Sequence, residues 1–213
     1  MPELRRKTIG RDTVCAIWHI TENTDELLSA ISLDTAEEGI YNAFVAESRK
    51  KQWLAYRLLV RELLKPEKAC LDYDPSGKPV FRHQNLHLSV THTADLAAVI
   101  ISRTSNVGID IEMVRPRIMK VTDKFISPEE MKSIVPGNEL EQFTLAWCAK
   151  EALYKLYGKR NLDFREDIRL ALPAAAGMEF DATVSNGDKQ SSYHLASERN
   201  DDCILVYCLE NWK

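Results

Sequence analysis

Apolar and polar residues alternate along this chain with two periods, and the period changes from segment to segment. Residues 13–20, TVCAIWHI, form a near-continuous apolar run of strand length. Helix-like stretches follow in DELLSAI and DTAEEGIYNAFVAE. Residues 48–64, SRKKQWLAYRLLVRELL, predict a long amphipathic helix, because Leu54 and Leu58, then Leu59 and Leu63, recur at four-residue spacing. Pro66 is expected to stop it. YDPSGKPVF reads as a turn leading into a short strand, punctuated by Pro75, Gly77 and Pro79. LHLSV and LAAVIIS are β-like runs joined by the polar turn THTAD.

The period is strictly two in VGIDIEMV, residues 107–114. A strand there turns Val107, Ile109 and Ile111 to one face and Gly108, Asp110 and Glu112 to the other. Residues 115–134 read as a loop and a short helix, with Ser127 placed as an N-cap three residues ahead of Glu130. NELEQFTLAWCAKEALYKLYG is the second long helix, ended by Gly158. The tail offers the strand-like runs ATVS, SYHLAS and CILVYCLE. Each half thus has one long helix to pack on several strands. The expected fold is α+β, with two similar lobes, 1–105 and 106–213, each a long helix on a mainly antiparallel sheet.

Composition narrows the class. A chain of 213 residues buries a core without needing disulfides or a structural metal. The formal charge of −4 gives no sign of nucleic-acid binding, and no apolar run is long enough to span a bilayer. The start, MPELRRKTIGRD, lacks the apolar centre of a signal peptide, so a cytoplasmic location is expected. Cys15, Cys70, Cys148, Cys203 and Cys208 are scattered and form no Cys-x-x-Cys pair; they read as reduced thiols packed as small hydrophobes.

Asp110 and Glu112 on one strand face repel each other unless one is protonated, both are solvated, or a cation lies between them. A solvated face is the bland reading. Gly108 favours a functional one, since a missing side chain leaves room for a ligand or another backbone. In WCAKEALYK, Glu151 and Lys155 share a helix face with Trp147. Taken alone, Trp147 reads as core and the ion pair as an exposed one worth about 0.3–0.5 kcal/mol. If Asp110, Glu112 and Glu151 converge, however, three carboxylates suit a hard divalent ion such as Mg²⁺. His92 falls in the polar turn with Ser89, Thr91 and Thr93; it is either a turn histidine or a donor to phosphate. Gly77 and Lys78 form either a plain turn or an anion cradle. Lys50, Arg57 and Arg61 share one side of the first long helix, which is usually a wet face.

GIDIE, then WCAKEALYK just under forty residues later, preceded by SVTHT, resembles the 4′-phosphopantetheinyl transferase family, specifically its surfactin-synthetase-type, pseudo-dimeric branch. RKKQWLAYRLLVREL, SGKPVF and LHLSVTHT match its upstream motifs, so the likeness covers most of the chain. The resemblance implies transfer of the phosphopantetheine arm of coenzyme A to a serine of an apo acyl or peptidyl carrier protein, in fatty-acid or secondary-metabolite synthesis. It implies Mg²⁺, with Mn²⁺ as an alternative, held by Asp110, Glu112 and Glu151. Glu151 would be the base, with Lys150 and Lys155 as cations on the phosphates. Arg57, Gly77, Lys78, Pro79, Ser89 and His92 would line the coenzyme A pocket in the first lobe, and the second lobe would carry metal site and catalytic helix. A monomer is expected, with no nucleic acid or membrane partner. The family's glycine turn after the helix is replaced by GKRNLDF, with Arg160 and Asn161 in its place. Two other functions compete: a decayed coenzyme A or carrier-binding module, and a metal-dependent nucleotide-diphosphate hydrolase.

Overall fold

The computed structural model describes residues 4–65, 69–158 and 162–212. Pro66, Arg160 and Asn161 lie outside the described residues. The chain divides into two compact units, Met1–Thr104 and Ser105–Lys213.

The first unit contains β1 (Leu4–Ile9), β2 (Thr13–His19), α1 (Thr24–Ser29), α2 (Thr35–Ala43), α3 (Glu47–Leu64), β3 (Leu71–Tyr73), β4 (Pro79–Phe81), β5 (His87–Thr93) and β6 (Leu96–Ser102). Its main sheet is antiparallel in the order β1-β2-β6-β5, and β3 and β4 form a separate hairpin. The helix α3 lies on that sheet, and Trp53, Leu54, Leu59 and Val60 are buried with Ala97, Val99 and Ile101 of β6. Asn23 and Asp34 open α1 and α2 with reciprocal capping boxes to Glu26 and Glu37.

The turn expected at THTAD is shorter than its polar composition suggests. The ladder continues through Thr91, His92 and Thr93, with His92 opposite Ala97, and the chain reverses only at Ala94 and Asp95. Ala94 adopts a left-handed φ of 41° there. Polar residues are tolerated in β5 because it is the sheet's edge.

The second unit contains β7 (Val107–Met113), two 3₁₀ turns (Pro116–Lys120 and Thr122–Lys124), α4 (Pro128–Met131), α5 (Glu139–Tyr157), β8 (Ile168–Leu170), β9 (Glu179–Asn186), β10 (Lys189–Asn200) and β11 (Cys203–Leu209). Its five strands run antiparallel in the order β7-β11-β10-β9-β8. The helix α5 crosses β7 and β11, burying Leu145, Ala149, Ala152 and Leu153 against Ile204, Val206 and Cys208. Ser127 caps α4 through the expected box with Glu130, and Gly158 ends α5 at a φ of 67°. The fold is therefore α+β, each unit a long helix on an antiparallel sheet. Among the cysteines, Cys15, Cys148, Cys203 and Cys208 are buried and Cys70 is exposed; all five are free thiols.

Candidate active site

The site starts with a missing side chain. In β7 the face carrying Gly108, Asp110 and Glu112 turns toward α5, while Ile109 and Ile111 are buried on the opposite face. A Cβ at Gly108 would lie 2.0 Å from the Ala152 carbonyl oxygen and 3.0 Å from Leu156 Cβ. The space left by Gly108 is thus filled by another backbone, that of α5, and not by a ligand. This close approach sets Glu151 and Lys155, on either side of Ala152 in sequence, beside the carboxylates of β7.

Lys155 answers how the two strand acids coexist. Its ammonium donates to Asp110 Oδ1 at 2.7 Å and to the Ile109 carbonyl at 3.2 Å. Asp110 is only 5% exposed. Glu112 accepts a hydrogen bond from Trp147 Nε1 at 3.2 Å, and Arg117 stands 3.7 Å from its other oxygen. Trp147 is held edge-on to Phe125 and tilted against Phe164, with ring centroids 5.2 and 5.6 Å away. The bland reading of Trp147 as core was therefore incomplete: the ring packs, and its N–H orients an acid. Its place four residues before Glu151 on the same helix stripe was the signal for this.

Electrostatics tie the three acids together. Burial, reinforced by the charge of Asp110, raises Glu112 above its ordinary value, and the Trp147 hydrogen bond opposes this. Glu151 is pushed up to about 6, first by burial and then by Asp110; Lys155 opposes the rise and Glu112 adds to it. Asp110 and Lys155 thus act on both glutamates, and β7 and α5 form one acid-and-lysine cluster.

Two residues expected at the phosphates, Lys150 and Arg57, are buried and paired within the protein. Lys150 points to the buried side of α5, where its side chain is 0% exposed. Its ammonium donates to the carbonyls of Phe125, Phe164 and Ile168 at 2.6, 2.8 and 3.0 Å and to Glu130 Oε2 at 2.8 Å. Four acceptors already surround a group with three protons, so Lys150 is a buried strut. Arg57 is likewise in the core, 2% exposed, paired with Glu37 Oε1 at 2.5 Å and stacked over Trp53 at 4.1 Å. Arg61 reaches the same carboxylate at 3.3 Å, and Lys50 sits over the Tyr41 ring. The charged stripe expected to be wet is folded instead against α2.

The other residues expected at a nucleotide pocket lie in the first unit. Gly77, at a φ of 86°, closes a turn in which Asp74 Oδ1 accepts from the backbone N–H groups of Ser76 and Lys78. Pro79 opens β4, which packs beside β5. Ser89 is buried on β5, and His92 Nε2 contacts the Arg49 guanidinium.

Among the described residues, no three acidic, histidine or cysteine side chains are gathered tightly enough to hold a metal ion as they stand. The donor set nevertheless fits a hard divalent ion. Asp110, Glu112 and Glu151 are all oxygen donors, and burial together with the nearby charge of Asp110 disfavours the ionised form of both glutamates, a setting that a cation would relieve. Among the described residues, no helix is long and apolar enough to cross a membrane.

The protein is thus of α+β class, two units each with a long helix on an antiparallel sheet, the second holding an Asp110–Lys155 pair between strand and helix. Sequence comparison places it more narrowly. The family model of the 4′-phosphopantetheinyl transferase superfamily matches residues 106–208, which span β7, α5 and nearly all of the second sheet. The 4′-phosphopantetheinyl transferase AcpT of Escherichia coli O157:H7 is 30% identical over 137 residues, covering 62% of this chain and 70% of that protein. The 4′-phosphopantetheinyl transferase HetI of Nostoc sp. is 27% identical over 158 residues (67% and 66%), and the 4′-phosphopantetheinyl transferase ffp of Bacillus subtilis 25% over 148 (65% and 65%). The chain belongs to the 4′-phosphopantetheinyl transferase superfamily.

Proposed function

We propose that the protein transfers 4′-phosphopantetheine from coenzyme A to a serine hydroxyl of an apo acyl or peptidyl carrier protein, using a divalent metal held by Asp110, Glu112 and Glu151. The observation that carries this reading is the Lys155–Asp110 pair at 2.7 Å, with Glu112 and Glu151 near enough for its charge to act on both, a mixed-charge site suited to a diphosphate and its counter-ion. The metal, Mg²⁺ or Mn²⁺, would supply Lewis-acid neutralisation of the pyrophosphate oxygens.

The chain's own residues do the rest. A serine hydroxyl is a poor nucleophile at neutral pH and needs a base within hydrogen-bond reach, directly or through one water. Glu151 suits that task by its place on α5 beside the acids of β7, where burial and the charge of Asp110 raise its proton affinity in the metal-free protein. The serine oxygen forms a bond to the phosphorus of the phosphopantetheine arm, and its proton passes to Glu151. The bond from that phosphorus to the bridging oxygen breaks, and adenosine 3′,5′-bisphosphate leaves with the electron pair. Lys155, on a flexible stem, stabilises charge growing on the phosphate oxygens. Trp147 keeps Glu112 oriented. In the first unit, Gly77, Lys78, Pro79, Ser89 and His92 contact coenzyme A, so that unit serves the nucleotide and the second the chemistry. The protein acts as a cytoplasmic monomer, without nucleic acid or membrane.

Intact-mass measurement tests this. Wild-type protein with coenzyme A and Mg²⁺ should add one phosphopantetheine mass to an apo-carrier protein, and EDTA or Asp110→Asn should abolish the gain. Carrier binding without a mass change under any divalent metal would favour a binding module. Cleavage of coenzyme A without carrier would favour a diphosphate hydrolase.

A further inference from the structure

Lys155 occupies an unusual position for a phosphate-binding lysine. Its ammonium is not turned outward; it hydrogen-bonds to Asp110 and to the strand carbonyl of Ile109, and its charge acts on Glu112 and Glu151 as well. Its side chain is 27% exposed, whereas that of Asp110 is 7% exposed. The lysine is thus more exposed than Asp110, on a stem of four methylenes. Lys150, five residues earlier on the same helix, is locked on all sides. Of these two lysines of α5, Lys155 is the one within reach of solvent and of an incoming ligand.

Resting on the function proposed above, we infer that Lys155 is an exchangeable counter-ion: it holds the acids together in the unloaded protein and yields them when a divalent cation arrives with the diphosphate. A divalent ion that takes Asp110 as a ligand at roughly 2.0–2.1 Å competes with the Lys155 ammonium for the charge of that carboxylate. The two cations would stand only about 4 to 5 Å apart, and the repulsion carries twice the charge product of two ammonium groups, in a partly buried setting where screening is weak. That repulsion favours a turn of Lys155 toward the nearest new source of negative charge, the phosphate group that enters with the cation. Metal binding and phosphate binding are thereby coupled through one side chain. The metal alone must displace the lysine without reward, while metal and diphosphate together give it a new partner.

The test compares Mn²⁺ binding by electron paramagnetic resonance, with and without coenzyme A, in wild type, Lys155→Met, Lys155→Arg and Asp110→Asn. Lys155→Met keeps the packing stem and removes the charge. It should bind Mn²⁺ alone about tenfold more tightly than wild type, and coenzyme A should improve its Mn²⁺ affinity by a smaller factor than in wild type. Lys155→Arg, which keeps the charge, should retain the weak wild-type affinity for Mn²⁺ alone. Equal or weaker Mn²⁺ binding by Lys155→Met, with Asp110→Asn still lowering affinity, would overturn the exchange while leaving the metal site intact. Unchanged Mn²⁺ binding in Asp110→Asn would instead overturn the metal site itself. Circular dichroism of each variant separates these outcomes from misfolding.

Discussion

Glu151 is held in a place that disfavours its charge. Its proton affinity is raised from 4.5 to about 6 because the carboxylate is largely buried beside Asp110 and Glu112. In the folded state, therefore, the neutral form is favoured more than in the unfolded chain. The associated stability is fully present below about pH 4.5, is lost as pH rises through about 6, and is absent at neutral pH, where the buried charge is a net cost. Discounted for partial solvent access, that cost is on the order of 1 kcal/mol. Glu151→Gln is accordingly expected to lose carrier modification while unfolding at higher urea concentration than wild type at pH 7.5, a gain that disappears near pH 4.5. A purely structural Glu151 would show lower stability on substitution. The strand acids and Gly108 were legible from two-residue alternation, and Glu151 and Lys155 from four-residue helical spacing. That Lys155 serves Asp110 was not, because the contact crosses 45 positions in sequence and depends on the Gly108 approach.

At the scale of elements, α5 carries two lysines with opposite fates. Periodicity predicted the helix and its Gly158 end, but nothing local distinguishes Lys150 from Lys155. Lys150 is recruited by carbonyls of Phe125, Phe164 and Ile168 and by Glu130, which also accepts from the backbone N–H groups of Ser127 and Leu170. Burial pushes the lysine's proton affinity down, and Glu130 holds it up. This knot joins the loops on both sides of α5, including the segments that carry Phe125 and Phe164 against Trp147. Lys150→Met should cost about 3–5 kcal/mol in urea unfolding, because it leaves Glu130 as a buried charge without its partner. If stability were unchanged and only the transfer rate fell, Lys150 would be a phosphate ligand after all. The strands that escaped the pattern have physical reasons too. β1 reads LRRKTI because it is a sheet edge that faces water, and β8 is three residues long, too short to show a period.

At the scale of the molecule, the halves of the chain were legible because each repeats the same plan of one long helix and several strands. The helix supplies a core to its own sheet, so each unit buries its own cluster of large apolar residues. Sequence periodicity reports such local amphipathicity well; it says nothing of which carbonyl meets which ammonium. A ligand that engages the folded site alone must stabilise the whole chain through linkage, by about 2.7 kcal/mol at a hundred times its dissociation constant. Coenzyme A with Mg²⁺ should therefore raise the thermal midpoint of wild type measurably and that of Asp110→Asn much less. Equal shifts in both would place the ligand away from Asp110.

The central claim is that Asp110, Glu112 and Glu151 together ligate one divalent ion, and the most direct measurement is anomalous diffraction from crystals grown with Mn²⁺ and coenzyme A. The account predicts a single strong anomalous peak within ligand distance of all three carboxylates, with Lys155 turned away from Asp110. A peak elsewhere, or none while coenzyme A is bound and Glu151 stands apart from the strand acids, would contradict it.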